Sequence, residues 1–409
     1  MSSKILPWVQ VVAGFFLMFN SWGLINAFGV FQEYYTSFSP PLSTPSSISW
    51  IGSLQTFLLL IFGSATGSFV DRGHARFLAL TGCGLLTLGL LFTSFSGEFT
   101  NYNSKSNKGS ADARPVYYQV LLSHGVLSGL GMGLLLVPST AIVPTYFSHN
   151  RAFAVGLANT GASIGGLTYP ILARRLIADV GFSWALRATA LVVLVTTAIG
   201  ALLIVQRSEL TKNPSKRTLY ELQCLREPAY ALFIAGVFFA FAGLYIPYFY
   251  ISTWVRDTHF PMHGLNHYYL LSILNAGGLV GRIVPPFIAD KVVSGPILMQ
   301  ALTAILCGAL AAGWTYIRTS FAGIMVWLVA YGLVSGSVIS LIPASAAALT
   351  PDMKRLGGRI GVLFAANAVA SLIGNPVAGA ILKNTTSAWK GLAGYYETAA
   401  AKVGTGRPL

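Results

Sequence analysis

Arg282 is a guanidinium inside NAGGLVGRIVPPFIAD (275–290), a run with no other charge until Asp290. At membrane depth such a cation costs about 2.5–3.5 kcal/mol on insertion scales, so it needs compensation. A ligand carboxylate or enolate supplies it through a bidentate contact that a lysine ammonium cannot copy. Two plainer readings stand beside this one. The cation snorkels to the nearer aqueous face, or it pairs with Asp290, which lies about 12 Å further along a helix. Amides recur in similar apolar runs at Asn20, Asn26, Asn159, Asn275, Asn367 and Asn375. A buried amide either hydrogen-bonds a substrate carbonyl or ties two helices together. Asn275, about two turns before Arg282, falls on the same helix face and is placed to orient a bound anion. Phe241, Tyr245 and Phe249 share one face of FFAFAGLYIPYFYISTW, where Pro247 can bend the helix. That face is either core and lipid contact or the wall of a cavity for an aromatic or amphipathic solute.

A second group of charges sits in a turn. GSFVDRGHAR (67–76) packs Asp71, Arg72 and Arg76 behind Gly67, and PFIADK places Asp290 and Lys291 in a corresponding turn later in the chain. A short turn of this kind holds an aspartate against helix N-termini and arginines, an arrangement that sliding helices must remake. The charge then acts as a conformational latch. HFPMHGLNH (259–267) spaces three histidines four residues apart, but Pro261 breaks any helix that would align the first two, and no metal site is expected. Nucleophile elbows, phosphate loops and zinc-protease motifs do not occur, so nothing supports an enzyme or a cofactor.

These residues need elements that live outside water. Of 409 residues only 9% are charged and 54% hydrophobic, against about 25% charged in an ordinary soluble domain; mean hydropathy is +0.65. Apolar runs of spanning length fall near 8–31, 48–70, 77–96, 117–146, 152–173, 184–205, 229–254, 267–289, 297–316, 321–347 and 360–382. The chain is therefore expected to be an all-α polytopic membrane protein. No signal peptide precedes the first run. Alternate loops differ in Lys and Arg, twelve on one side and seven on the other, which puts the N-terminus in the cytoplasm. The net charge of +14 then belongs to loops facing an anionic leaflet, and nucleic acid is not an expected partner. Cys83, Cys224 and Cys307 are odd in number and scattered, so no disulfide framework follows.

The polar stretch 206–228 divides six runs from five. The expected organisation is an N-terminal six-helix bundle (1–205), a cytoplasmic linker (206–228), a five-helix bundle (229–383) and a polar tail (384–409). The charged turn recurring at the same rank in each half marks a parallel internal repeat.

GSFVDRGHAR resembles the loop signature of the major facilitator superfamily. PWVQVVAGFFLMFNSWGLINAFGVFQEYY (7–35), SSISWIGSLQTFLLL (46–60), YFSHNRAFAVGLANTGASIGG (146–166), GLYIPYFYI (243–251) and NAGGLVGRIVPPFIAD (275–290) resemble strings of its monocarboxylate porter family, particularly the fungal branch. The resemblance runs from Pro7 to about Leu382. It implies twelve helices in two bundles, a central substrate site and alternating access, and it matches Arg282 to the family's anion-contacting arginine. The chain also departs from the pattern. MSSKIL replaces the family's acidic-glycine motif. The twelfth helix is missing, since the sequence after Trp389 starts like a helix and then turns polar. The lysine and aspartate of the animal lactate porters correspond to Asn26 and Gly278, which argues against proton-coupled lactate uptake.

The expected function is that of a secondary transporter in the plasma or vacuolar membrane, exporting a small acidic or amphipathic metabolite, with uptake of a monocarboxylate or vitamin-like solute as the alternative. A non-transporting sensor or inactive homologue is the other class. Arg282, Asn275, Tyr245, Asn26 and Asn159 are the candidate substrate contacts; a proton is the coupling ion to test, and the lipid bilayer is the surrounding partner.

Overall fold

The computed structural model describes residues 5–36, 43–71, 73–96, 116–147, 151–205, 221–257, 262, 263, 265, 269–289, 295–314, 317, 320–351 and 356–384. Eleven long helices cross back and forth among them: α1 (Leu6–Thr36), α2 (Pro45–Asp71), α3 (Ala75–Phe95), α4 (Tyr117–Ala141), α5 (Arg151–Val180), α6 (Phe182–Leu203), α7 (Pro228–Arg256), α8 (Tyr269–Ala289), α9 (Gly295–Gly313), α10 (Phe321–Ala348) and α11 (Leu356–Asn384). No strand occurs among the described residues. We call the end where α1 begins the near end and the opposite one the far end.

Ten of these helices are long and apolar enough to cross a membrane. The sequence predicts eleven, and the difference is α5. Its 30 residues suffice in length, but the Gly, Ser, Thr and Asn of GLANTGASIGGLTY dilute it. Those small residues serve packing. A Cβ at Gly161 or Gly165 would run into the main chain of Phe15 or Phe19 on α1, so the two helices meet backbone to backbone.

Four of the predicted runs are not straight helices, each for a local reason. In α1 the helix breaks at Ser21 and Ala27, and the Ser21 hydroxyl donates to the Leu17 carbonyl at 2.8 Å. In α4, Leu121–Leu127 form a π-helical turn. In α7 the break is at Tyr245, two residues before Pro247, which has no N–H to continue the ladder. In α8 it is at Arg282 and Ile283, ahead of Pro285 and Pro286. There Arg282 N still reaches the Gly278 carbonyl, but Ile283 N turns to that of Val280.

Helices of the first six and the last five meet at the far end and along two seams, α2 with α11 and α5 with α8. At the far end Ser46 Oγ donates to the Pro376 carbonyl at 2.9 Å and Phe28 packs on Phe249 with centroids 4.8 Å apart. Gly29 of α1 lies directly on the Tyr248 carbonyl of α7, with no room for a Cβ. Along the α5–α8 seam Ser272 Oγ donates to the Leu167 carbonyl at 2.9 Å. These contacts join the two sets of helices at the far end.

Of the linker, residues 221–227 are described. Leu222–Arg226 form a 3-10 turn and Pro228 opens α7, where a missing N–H costs nothing. Arg359, in the first turns of α11 and 3% exposed, holds this segment. Its guanidinium forks onto the Glu227 carboxylate, one arm at 2.9 Å, and lies 5.1 Å from the Tyr230 ring. Glu221 stands 3.9 Å from its Nε. Burial pushes the nearby Cys224 thiol up, while Arg359 pulls it down. The last residues of the linker thus pack on α11. The tail expected over 384–409 lies outside the described residues beyond Asn384.

Candidate substrate site

Between the two sets of helices, on the near side of the far-end contacts, lies a cavity with about 550 Å³ of empty space, including the part continuous with solvent. Eight helices contribute to its wall. Half of the lining is aliphatic, from Met18 of α1, Leu60 of α2, Leu136 of α4, Ala162 of α5 and Ile339, Ile342 and Pro343 of α10. Three rings join it: Trp22 (α1), Phe241 (α7) and Phe364 (α11). Its polar groups are few: Thr140, Asn159, Ser340 and Arg282.

Arg282 is 3% exposed and sits at the break of α8, so its side chain leaves a turn rather than a regular helix. Its Nη1 donates to the Asn159 main-chain oxygen at 3.1 Å. Its Nε is buried without a hydrogen bond, and no carboxylate pairs with the side chain among the described residues. The Asn159 Oδ1 and Ser340 Oγ atoms are also buried without partners. A cation, an acceptor and a hydroxyl with unspent capacity therefore meet in one apolar cavity. Each such group costs roughly 1–3 kcal/mol unless something entering the cavity satisfies it.

Arg282 and Asn159 are thus brought together at the cavity. Tyr245 stands just behind its wall, stacked on Trp22. Asn26 and Asn275 belong to the helix contacts instead. Asn26 Nδ2 donates to the Ala162 carbonyl at 3.3 Å. Asn275 Nδ2 donates to the carbonyls of Gly166 at 3.1 Å and Leu271 at 2.8 Å, pinning α8 to α5. Asn20 is a node as well, accepting from Tyr169 at 2.6 Å and Thr196 at 3.0 Å. Of the aromatic face, Phe241 reaches the cavity, whereas Phe249 is spent on the far-end contact.

Of the turn residues, Arg72, Asp290 and the Asp71 side chain lie outside the described residues. Gly67 sits in α2 with open space where a Cβ would be, and Arg76 is exposed in the first turn of α3. Among the histidines of 259–267, His263 is described, its ring 5.4 Å from that of Phe321; His259 and His267 are not. Among the described residues no three His, Cys, Asp or Glu side chains group to hold a metal.

Two polar features were not anticipated. Glu33, 2% exposed near the far end of α1, pairs with Arg174 of α5 at 3.5 Å. His124, inside the π-helical turn, is buried, with Nδ1 3.3 Å from the Tyr35 hydroxyl. The signal was available: an acid and an imidazole, each within an apolar run.

Comparison with known proteins places this architecture. The family model of the Major Facilitator Superfamily matches residues 11–326. The chain is 36% identical over 394 residues to the MFS-type transporter dbaD of Emericella nidulans, covering 95% of this chain and 82% of that protein. It is 34% identical over 379 residues to an MFS-type transporter of Gibberella zeae, covering 92% and 79%. With the agnestins efflux protein AgnL12 of Paecilomyces divaricatus the identity is 33% over 376 residues, covering 91% and 80%. Among solved structures a point mutant of the nucleoside transporter NupG superposes with a TM-score of 0.71 at 12% identity, covering 98% of this chain and 100% of that one.

Proposed function

The chain belongs to the Major Facilitator Superfamily and is a multi-pass membrane transporter of small molecules, and from that premise we propose that it exports a small acidic or amphipathic metabolite. The observation that carries this reading is Arg282: a cation 3% exposed, in an apolar cavity, with no carboxylate beside it among the described residues. A solute carrying an anion next to an apolar body would satisfy that guanidinium and the aliphatic wall together. Export is supported by relatives whose names describe efflux, the agnestins protein and the aspyridones efflux protein apdF of Emericella nidulans. The strings quoted above favour the monocarboxylate porter branch, and the plasma membrane is the expected location. With the near end in the cytoplasm, the far-end contacts and the cavity on their near side support a carrier that loads from inside. The charged turn of Gly67, Asp71, Arg72 and Arg76, with its counterpart at Asp290, would latch the opposite state.

The test is a deletion strain complemented with wild type or with Arg282→Lys. An anionic metabolite should fall outside and accumulate inside the deletion strain, and only wild type should restore it. An unchanged secretion profile, or a loss confined to neutral or cationic solutes, would overturn the reading.

A further inference from the structure

Trp22 and Tyr245 each stand at a helix break, one in the first six helices and one in the last five, and their rings stack nearly parallel at 14° with centroids 6.0 Å apart. Tyr245 is 1% exposed and its hydroxyl makes no hydrogen bond. What the residue contributes is its ring. That ring backs Trp22 and is itself packed in a cluster of rings: Tyr248 lies 5.6 Å from it and 6.4 Å from Tyr331, on which Trp327 stacks at 5.0 Å and 13°. Trp22 borders the cavity, so an indole fixed from behind forms part of its wall. Phe241, edge-on to Tyr245 at 6.2 Å and 66°, borders the same space, as does Arg282.

We propose that the cavity takes a flat aromatic acid, its ring laid against Trp22 and Phe241 and its anionic group on Arg282. This rests on the export reading and narrows its substrate class. Leucines in place of these rings would serve a saturated acid equally well. Rings held rigidly from behind add the offset-stacked and edge-to-face attractions that only another π-system gains, and they lose little side-chain freedom on binding.

The test uses the full chain in lipid nanodiscs, titrated with 2-naphthoate, its methyl ester and the saturated decahydro-2-naphthoate. The flat acid should bind about five- to tenfold more tightly than the saturated one, although the latter is the more hydrophobic. The ester should bind more weakly than its acid. Trp22→Leu should bring the flat-to-saturated ratio close to one, and Phe241→Leu should lower it if the Trp22 variant does not fold. Equal binding of the two acids, with the ester weaker, overturns this inference and leaves the anion reading standing. An ester that binds as well as its acid overturns the anion reading. Failure of both acids to bind overturns both.

Discussion

Arg282 of α8 donates through Nη1 to the main-chain oxygen of Asn159 on α5, 3.1 Å away, so the cavity's cation is anchored across the seam between the first six helices and the last five. One arm of the guanidinium fork is committed to protein, and the rest of it remains for a ligand. Lysine can keep the single bond but not the fork. Arg282→Lys is expected to cut flux in membrane vesicles by about tenfold or more, with protein abundance near normal. Wild-type flux per molecule would favour a purely structural arginine.

Gly29→Leu should act at a distance from the cavity. Position 29 lies on the Tyr248 carbonyl, so any side chain there pushes α1 and α7 apart at the far end. Overpacking of this kind costs about 1–3 kcal/mol, enough to shift a two-state balance by roughly tenfold. Labelling of an engineered cysteine near Ser46 by an impermeant maleimide should rise accordingly.

The clip on the linker predicts an asymmetry. Glu227→Ala leaves a cation that is 3% exposed with the Leu349 carbonyl and Glu221 alone, whereas Arg359→Met leaves Glu227, 47% exposed and able to turn to water, beside Glu221, 9% exposed. The first should lower stability by about 1–2 kcal/mol, discounted for the exposed partner and for Glu221 nearby. The second should cost less, and thermal unfolding of the purified variants in detergent would rank the two.

Asp71→Asn is expected to leave insertion and abundance near normal while reducing flux strongly, because an uncharged amide cannot hold the arginines of the turn. Equal transport per molecule in vesicles would remove the latch.

The number and order of the helices, and the bend beside Pro247, were legible because hydrocarbon imposes one rule on every span, and prolines and polar runs punctuate it. Arg282 was legible for the same reason, as a charge where charge is expensive. Which amides face the cavity was not. Asn159 and Asn275 look alike in sequence, and only the crossing of α5 over α8 sends one to the cavity and the other to the Gly166 carbonyl. Trp22 escaped notice because its importance comes from Tyr245, more than two hundred residues away in the chain. The kinks at Ser21 and Tyr245 that bring the two rings together depend on tertiary packing as well as on local residues.

The modest apolarity of α5 also bears on how the protein is made. A segment this rich in glycine and hydroxyls gains little from lipid alone, and its interior faces are shaped for α1, α6 and α8. Of these, α1 precedes it from the ribosome, α6 follows at once, and α8 emerges much later. During synthesis α5 is therefore expected to be held by its neighbours as well as by the bilayer, with α1, broken and bearing glycines, as the surface on which it docks.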